Sequence, residues 1–397
     1  MPVEKMFFSK QTDYDMIKNE IRIFFAGDFC SKPPAFEITI SDELKQIIRS
    51  CDLRVVNFEV PLKPDVALPA QQYERFYQND DVPGFLRSVG FNLFPVANNH
   101  VFDWGVDGYL KTKAAFGDAA FGAGSYDEAY NVKVIELNGK KIGLMALSFA
   151  AYTGVFDDVL NHEGLGCAYI NDLRVNHDIV QAKKHVDYLF ILPHDGIEYI
   201  DVPLPETIAR YRDFIDWGAD GVIGSHPHCP QGWEEYKGKP IFYSLGNFFF
   251  NSKEDTLYRA WNRPHWYEGM CVEMTLGDSD IHYRIINTRN IDNVSLVVDH
   301  DASRDEHNEK LASYLKDDQA YRDYLRAQCK RLTEGQEMPI IDGSFHKYSL
   351  KSGSKRLLKS WLQVIRKKDV SNDFALRTLL RNNTRSNVLL RYLKRNY

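Results

Sequence analysis

No two of the six cysteines stand in a C-x-x-C pair; Cys30, Cys51, Cys167, Cys229, Cys271 and Cys329 are scattered along the chain. That spacing argues against a disulfide framework and for reduced thiols in a cytoplasm-like compartment. No apolar run approaches the roughly 18 residues of a membrane span. The opening stretch MPVEKMFFSKQTDYDMIKNE has only a short aromatic step where an export signal needs an apolar core. The expectation is a soluble, cytoplasmic protein without a transmembrane segment. Internal repeats and low-complexity tracts are also lacking. Apolar residues at 44% against charged residues at 26% place the chain among ordinary globular proteins.

Charge is unevenly spread. The formal net charge is -6, yet Gly343 to Tyr397 carries 14 Lys or Arg against 2 Asp, so the remainder is strongly acidic. Within the basic region Leu357, Leu358, Trp361, Leu362 and Ile365 share one helical face. This reads as a helical appendage packed on the acidic body. Its alternative is a surface for an anionic partner, such as a membrane surface or a polyanion, or for a protein partner. A nucleic-acid partner is not expected, because no reading motif accompanies the basic residues.

From Ile21 to about Ile286, short apolar runs alternate with helix-like segments, which predicts an α/β fold. The predicted strands are IRIFFAG, LRVVNFEV, FNLFPVA, VDYLFIL, DGVIG and PIFYSLGNFFF; DVPGFLRSVG, GVDGYLKTKAAFG and PETIARYRDFIDWGA read as helices. VKVIELNGKKIGLMALSF places Asn-Gly between two apolar runs, a β-hairpin that implies a mixed or a second sheet. Asp301 to Cys329 reads as a charged helix. The division is an extension at 1–20, a main domain at 21–290 and a charged, then basic, helical region at 291–397.

Most predicted strands end on polar residues of metal-ligand type. Asp28 follows FFAG, Asn57 and Glu59 follow VV, Asn98, Asn99 and His100 follow FPVA, His194 follows LFILP, and His226 and His228 follow VIGS. Ligands of open α/β sheets bind at the carboxyl ends of strands, so these side chains are expected to converge. Asp, Glu, Asn and His without Cys suit two divalent ions of the Mn, Zn or Fe type. In H-P-H, Pro227 favours an extended His226, and alternation would aim both imidazoles the same way, one to each ion. Gly224 and Gly232 would let the loop approach the ions. His100 has a second reading, as a proton donor to a leaving group. Asp103 would then fix its tautomer, or else cap the helix beginning near Gly105.

Seven motifs in order carry a resemblance: Gly27-Asp28, NFEVPL from Asn57, ANNHVFDWG from Ala97, FGAG from Phe121, HDGIEY from His194, GSHPHCPQG from Gly224 and YSLGNFFF from Tyr243. The chain resembles the CapA family of capsule poly-γ-glutamate biosynthesis proteins, which are similar to calcineurin-like metallophosphatases. The resemblance implies a four-layer αββα sandwich with the metal centre at one edge. It implies Asp28, Glu59, Asn99, His194, His226 and His228 as ligands, His100 as the acid, and Asp103 beside it. Arg75 in RFYQ offers a guanidinium to an anionic substrate, and Glu198, Asn57 and Tyr199 are further candidates to line the cleft. The implied activity is metal-dependent hydrolysis or transfer at an amide or ester of an acidic polymer or its precursor. A non-catalytic role in polymer assembly or export, with a synthase partner, is the second expectation, and a phosphatase or phosphodiesterase the third. The chain departs from the family pattern at Cys30, where metallophosphatases have His, and at Asp195 and Ser225. With no apolar N-terminal stretch, it is also expected to lack the membrane anchor of many members.

Overall fold

The computed structural model describes residues 20–32, 34–66, 75–150, 154–156, 163–251, 265–278 and 280–334. β1 (Ile21–Ser31) organises the first sheet. Along one edge it pairs in parallel with β3 (Leu53–Phe58). Along the other it changes partner: Ile21–Phe25 run antiparallel to β15 (Glu268–Leu276), whereas Asp28–Ser31 run parallel to β14 (Asn247–Asn251). β16 (Ile281–Ile291), β17 (Ser295–Val298) and β2 (Thr39–Ile40) complete the sheet beyond β15.

The second sheet has the order β12 (Trp233–Tyr236), β13 (Lys239–Phe242), β11 (Gly221–Ile223), β10 (Tyr188–His194), β8 (Lys140–Ser148) and β7 (Lys133–Leu137). Its four inner strands are parallel and its two edge strands antiparallel. All four inner strands therefore end on one edge. β7 and β8 form the predicted hairpin, with Asn138 and Gly139 both at positive φ, 51° and 75°, as a type I′ turn requires. Two short pairs, β4 (Phe94–Pro95) with β5 (Ala120–Phe121) and β6 (Ala123–Gly124) with β9 (Gly166–Cys167), flank the sheets.

The sheets pack face to face. Phe25 of β1 meets Phe190 of β10 at 5.7 Å between ring centroids, and Phe242 of β13 meets Tyr283 of β16 at 5.2 Å. β10 is buried on both faces: Tyr188, Phe190 and Leu192 join the inter-sheet core, while Leu189 and Ile191 join a second core. That is why its sequence is a continuous apolar run rather than an alternation. In the second core, α5 (Leu173–Lys183) contributes Val175 and Ile179, and α6 (Pro205–Asp216) contributes Tyr211, Phe214 and Ile215. On the far side of the first sheet α1 (Asp42–Arg49) buries Leu44 and Ile48, and α2 (Val82–Val89) buries Val82, Leu86 and Val89. The result is the four-layer αββα sandwich that the resemblance implies. α3 (Gly105–Phe116) and the short α4 (Tyr126–Tyr130) fill the side of the sandwich.

Two predicted strands differ from the observed ones. FNLFPVA is a strand only at Phe94–Pro95, with a single bridge from Leu93 to Val55 before it, and Pro95 has no N–H to extend a ladder. PIFYSLGNFFF is two strands in different sheets, β13 and β14, joined by a crossing at 243–246. The charged segment after Asp301 is likewise two helices, α7 (Ala302–Tyr314) and α8 (Asp318–Glu334). Leu311, Tyr321 and Leu325 dock them on Ile200, Val202 and Leu204 of the loop after β10. The amphipathic basic stretch at 357–365 lies outside the described residues. Among the described residues, no helix is long and apolar enough to cross a membrane.

Candidate metal centre

Asp28 sits where β1 changes partner and where its register against β3 breaks, a local irregularity of the kind that aims side chains at sites. It is fully buried. Its Oδ1 accepts from Asn57 Nδ2 at 2.6 Å and its Oδ2 from the His226 backbone N–H at 3.0 Å. His194 Nδ1 lies 3.7 Å from Oδ1 and His228 Nδ1 3.6 Å from Oδ2. Asp28 therefore ties both sheets to the His226–His228 loop.

Glu59 follows β3 and is also fully buried. Neither of its carboxylate oxygens has a hydrogen-bond partner. Around Oε1 stand three imidazole nitrogens, Nε2 of His228 at 3.7 Å, of His194 at 3.9 Å and of His100 at 4.0 Å. Burial pushes the Glu59 carboxyl well above its ordinary range, and the charges of Asp28, Glu198 and Asp103 push the same way. Burial also raises Asp28, against the opposing pull of His228 and its hydrogen bonds. His194 is driven well below its usual value by burial and then by His226, His228 and His100; burial likewise lowers His228.

The tautomers follow from the neighbours. Asn247 Nδ2 donates to the Trp266 carbonyl at 3.0 Å, so its Oδ1 faces His228 Nδ1 at 2.9 Å. His228 must then carry its proton on Nδ1 and turn a bare Nε2 toward Glu59. Such an oriented imidazole is the usual form of a metal ligand. His194 is the reverse case: Asn57 Nδ2 at 3.2 Å and Ser225 Oγ at 3.1 Å face its Nδ1, while Nε2 lies 2.8 Å from Asn99 Oδ1. His226 packs between Phe149 and His194, with ring centroids 4.4 and 4.8 Å away.

A buried carboxylate with no donor, ringed by imidazoles of which burial favours the neutral form at His194 and His228, fits a divalent cation. Two carboxylates, three histidines and the Asn99 oxygen form a borderline-to-hard donor set without sulfur. Asp28, Glu59 and His194 alone bring ligand atoms within 4.8 Å of one another. His100 stands at the mouth, its side chain 14% exposed.

Asp103 resolves its two readings in favour of His100. Its Oδ2 lies 2.9 Å from His100 Nδ1 and also accepts the Phe76 N–H, whereas the helix cap falls on Trp104 with no side-chain hydrogen bond. Arg75 lays its guanidinium 5.7 Å from the Trp104 ring centroid, next to Phe76, whose ring packs on His100 at 5.2 Å. Glu198 is near enough for its charge to raise Glu59 and to offset part of the lowering of His228. Tyr199 is half-buried with its ring 6.2 Å from that of His228. Asn57, expected at the substrate, is 6% exposed, and its amide is engaged by Asp28 and His194.

Two local expectations are corrected. The H-P-H segment is not extended: His226 and His228 have φ of 102° and 55°. The His226 N–H bond to Asp28 and the Tyr199 N–H bond to the Pro227 carbonyl outweigh the preference that Pro227 imposes. Gly224 and Gly232 serve packing rather than approach to ions, since a Cβ would lie 2.1 Å from the Tyr243 oxygen at the first and 2.7 Å from Leu311 backbone at the second. Asp195 turns toward α6, accepting from Thr207 Oγ1 at 3.2 Å, and burial raises its carboxyl to about 6. Cys30, another of the departures, is buried with Val60, Phe250 and Trp266, and burial raises its thiol well above the ordinary range.

The family model for the bacterial capsule synthesis protein PGA_cap matches residues 22–252. The chain belongs to this family. It is 32% identical over 174 residues to the capsule biosynthesis protein CapA of Bacillus anthracis, covering 42% of each chain. It is 30% identical over 220 residues to the PGA biosynthesis protein CapA of Bacillus subtilis (strain 168), covering 54% of this chain and 57% of that one. The chain thus spans about half the length of these curated relatives. Among solved structures it is similar to a phosphatase from Mycoplasma pneumoniae, with 15% identity, 68% of this chain and 93% of that chain covered, and a TM-score of 0.41.

Asn247 is the residue of this PGA_cap site that the sequence reading missed. Its signal was the Gly-Asn before FFF, a repeat of the Gly27-Asp28 pattern at the start of a neighbouring parallel segment. Reading PIFYSLGNFFF as one strand concealed it.

Proposed function

We propose that this chain is a metal-dependent hydrolase or transferase acting on an amide or ester of an acidic capsule-type polymer, poly-γ-glutamate in kind, or of its precursor. The observation that carries the reading is Glu59, buried with no hydrogen-bond donor beside three imidazole Nε2 atoms. The printed names of the Bacillus relatives support the polymer class. Asp28, Glu59, Asn99, His194, His226 and His228 would hold one or two divalent ions, which supply an activated water and stabilise developing negative charge.

The remaining work falls to the chain's own groups. Asp103 holds the proton on His100 Nδ1 and stabilises the imidazolium, so the proton delivered to the leaving atom sits on Nε2. Asn57 and Asn247 position ligands rather than substrate. Arg75, over the Trp104 ring, offers a guanidinium to a carboxylate of the polymer.

Elemental mass spectrometry on protein purified without chelator should find near-stoichiometric Mn, Zn or Fe that falls in a His226→Ala, His228→Ala variant. Cleavage of γ-glutamyl polymer should vanish in a folded Asp28→Ala protein. Retained turnover there would sink the reading; metal without turnover on amides, esters or phosphoesters would move it to a polymer-binding assembly role. Asp103→Asn should keep the metal and lower kcat by about 100-fold with little change in KM. An unchanged kcat would remove His100 and Asp103 from proton transfer.

A further inference from the structure

A second cluster of ligand-type side chains lies apart from the Asp28 site. Asp201 comes from the loop after β10, His265 from the turn before β15, and His307 from α7. Their ligand atoms all fall within 4.8 Å of one another. Asp201 is 4% exposed, and its Oδ1 has no hydrogen-bond partner; neither has His307 Nε2, which stands 4.0 Å from Asp201 Oδ2. That gap is too long for a hydrogen bond, and each group forgoes water without a protein partner in return. The rings of His265 and His307 stack at 4.3 Å, 24° from parallel.

The surroundings are those of a held ligand set. Tyr324 donates its hydroxyl to Asp201 Oδ2 at 2.7 Å, which steadies the carboxylate. Glu268 bonds His265 Nδ1, which leaves Nε2 bare, and a carboxylate behind an imidazole is the common support of a metal-bound histidine. Arg304 Nη1 pairs with the same Glu268 oxygen at 2.5 Å and lies 3.3 Å from His265 Nδ1. It balances the Glu268 charge and so makes Glu268 an orienting group instead of a fourth ligand. Burial, followed by the charges of His265 and Arg304, lowers the His307 imidazole and favours its neutral, ligating form.

We propose that Asp201, His265 and His307 form a binding site for a single divalent transition-metal ion of the zinc class. Two imidazoles and one carboxylate match the ligand preferences of Zn2+ and are too poor in oxygen for Ca2+ or Mg2+. The ion would pin α7 to the loop after β10 and to the segment carrying Trp266. Trp266 packs its ring 5.1 Å from that of His228, and its carbonyl fixes Asn247. The second site is thereby tied to the rim of the first through one residue.

The test is a Zn2+ titration of the full chain carrying His226→Ala and His228→Ala, repeated with His307→Gln added. One equivalent should bind to the first protein. The added substitution, or Asp201→Asn in its place if that variant does not fold, should abolish the binding. Glu268→Gln keeps all three ligands and should weaken the binding by about 10–100-fold. In the otherwise native chain, His307→Gln should lower the zinc content by one equivalent, a result independent of the crippled first site. No uptake by the first protein, or undiminished uptake with His307→Gln, overturns the proposal.

Discussion

Glu59→Gln is expected to make the metal-free protein more stable while it removes the metal site. Glu59 has a folded-state carboxyl raised well above its ordinary 4.5 by burial. A raised acid favours folding while protonated, so its contribution is whole below the unfolded value and is lost as pH rises through the folded one. A neutral amide of the same shape stays in the favourable state at every pH. In chelator near pH 8 the variant should therefore exceed the parent by about 1–3 kcal/mol, the usual penalty for an unsatisfied buried polar group. The two should converge as the pH falls toward 4.5. In divalent metal at about 1,000 times Kd the order should reverse, because the parent gains about 4.1 kcal/mol from binding and the variant gains none. Thermal unfolding at two pH values, with and without metal, checks all four corners. A variant less stable than the parent in chelator at pH 8 would mean that Glu59 is partnered in solution and that the cation argument fails.

The reversal also bears on why the site was legible. Asp28, Glu59, Asn99, His194, His226 and His228 were readable because each follows an apolar run, and polar atoms at the ends of buried strands have no reason to cluster unless something holds them. The sandwich was readable because β10 and its neighbours are apolar on both faces. What the sequence hid was conformation and connection. His226 and His228 take positive φ because Asp28 and Tyr199, distant in sequence, bind the loop backbone. The break in PIFYSLGNFFF is marked only by Ser244, Gly246 and Asn247 between two apolar runs, so a periodicity argument passes over it. Asp201, His265 and His307 each sit alone in unremarkable sequence, and only the docking of α7 brings them together.

Gly27→Ala is expected to be the most damaging small substitution near the site, although it adds one methyl group and removes no ligand. A Cβ at Gly27 would stand 1.9 Å from the Gly246 carbonyl oxygen and 3.0 Å from its carbon. Both are backbone atoms, so no side-chain rotation relieves the clash. The two backbones must be this close because β1 exchanges β15 for β14 at this point, and the Asp28 N–H donates to the same Gly246 oxygen at 3.0 Å. Moving Gly246 aside breaks that bond, shifts Asn247 and with it His228, and pulls Asp28 away from Asn57. The loss should be at least about 4 kcal/mol, beyond the range of most point substitutions, with metal uptake lost in whatever protein still folds. Gly84→Ala in α2 is the matched control: a Cβ there meets nothing within 4 Å, so better helix propensity should raise stability by up to about 1 kcal/mol. Denaturant midpoints of the two variants should move in opposite directions. If Gly27→Ala instead folds with parental stability and metal content, the close crossing of β1 and the Gly246 turn is not what sets Asp28 in place.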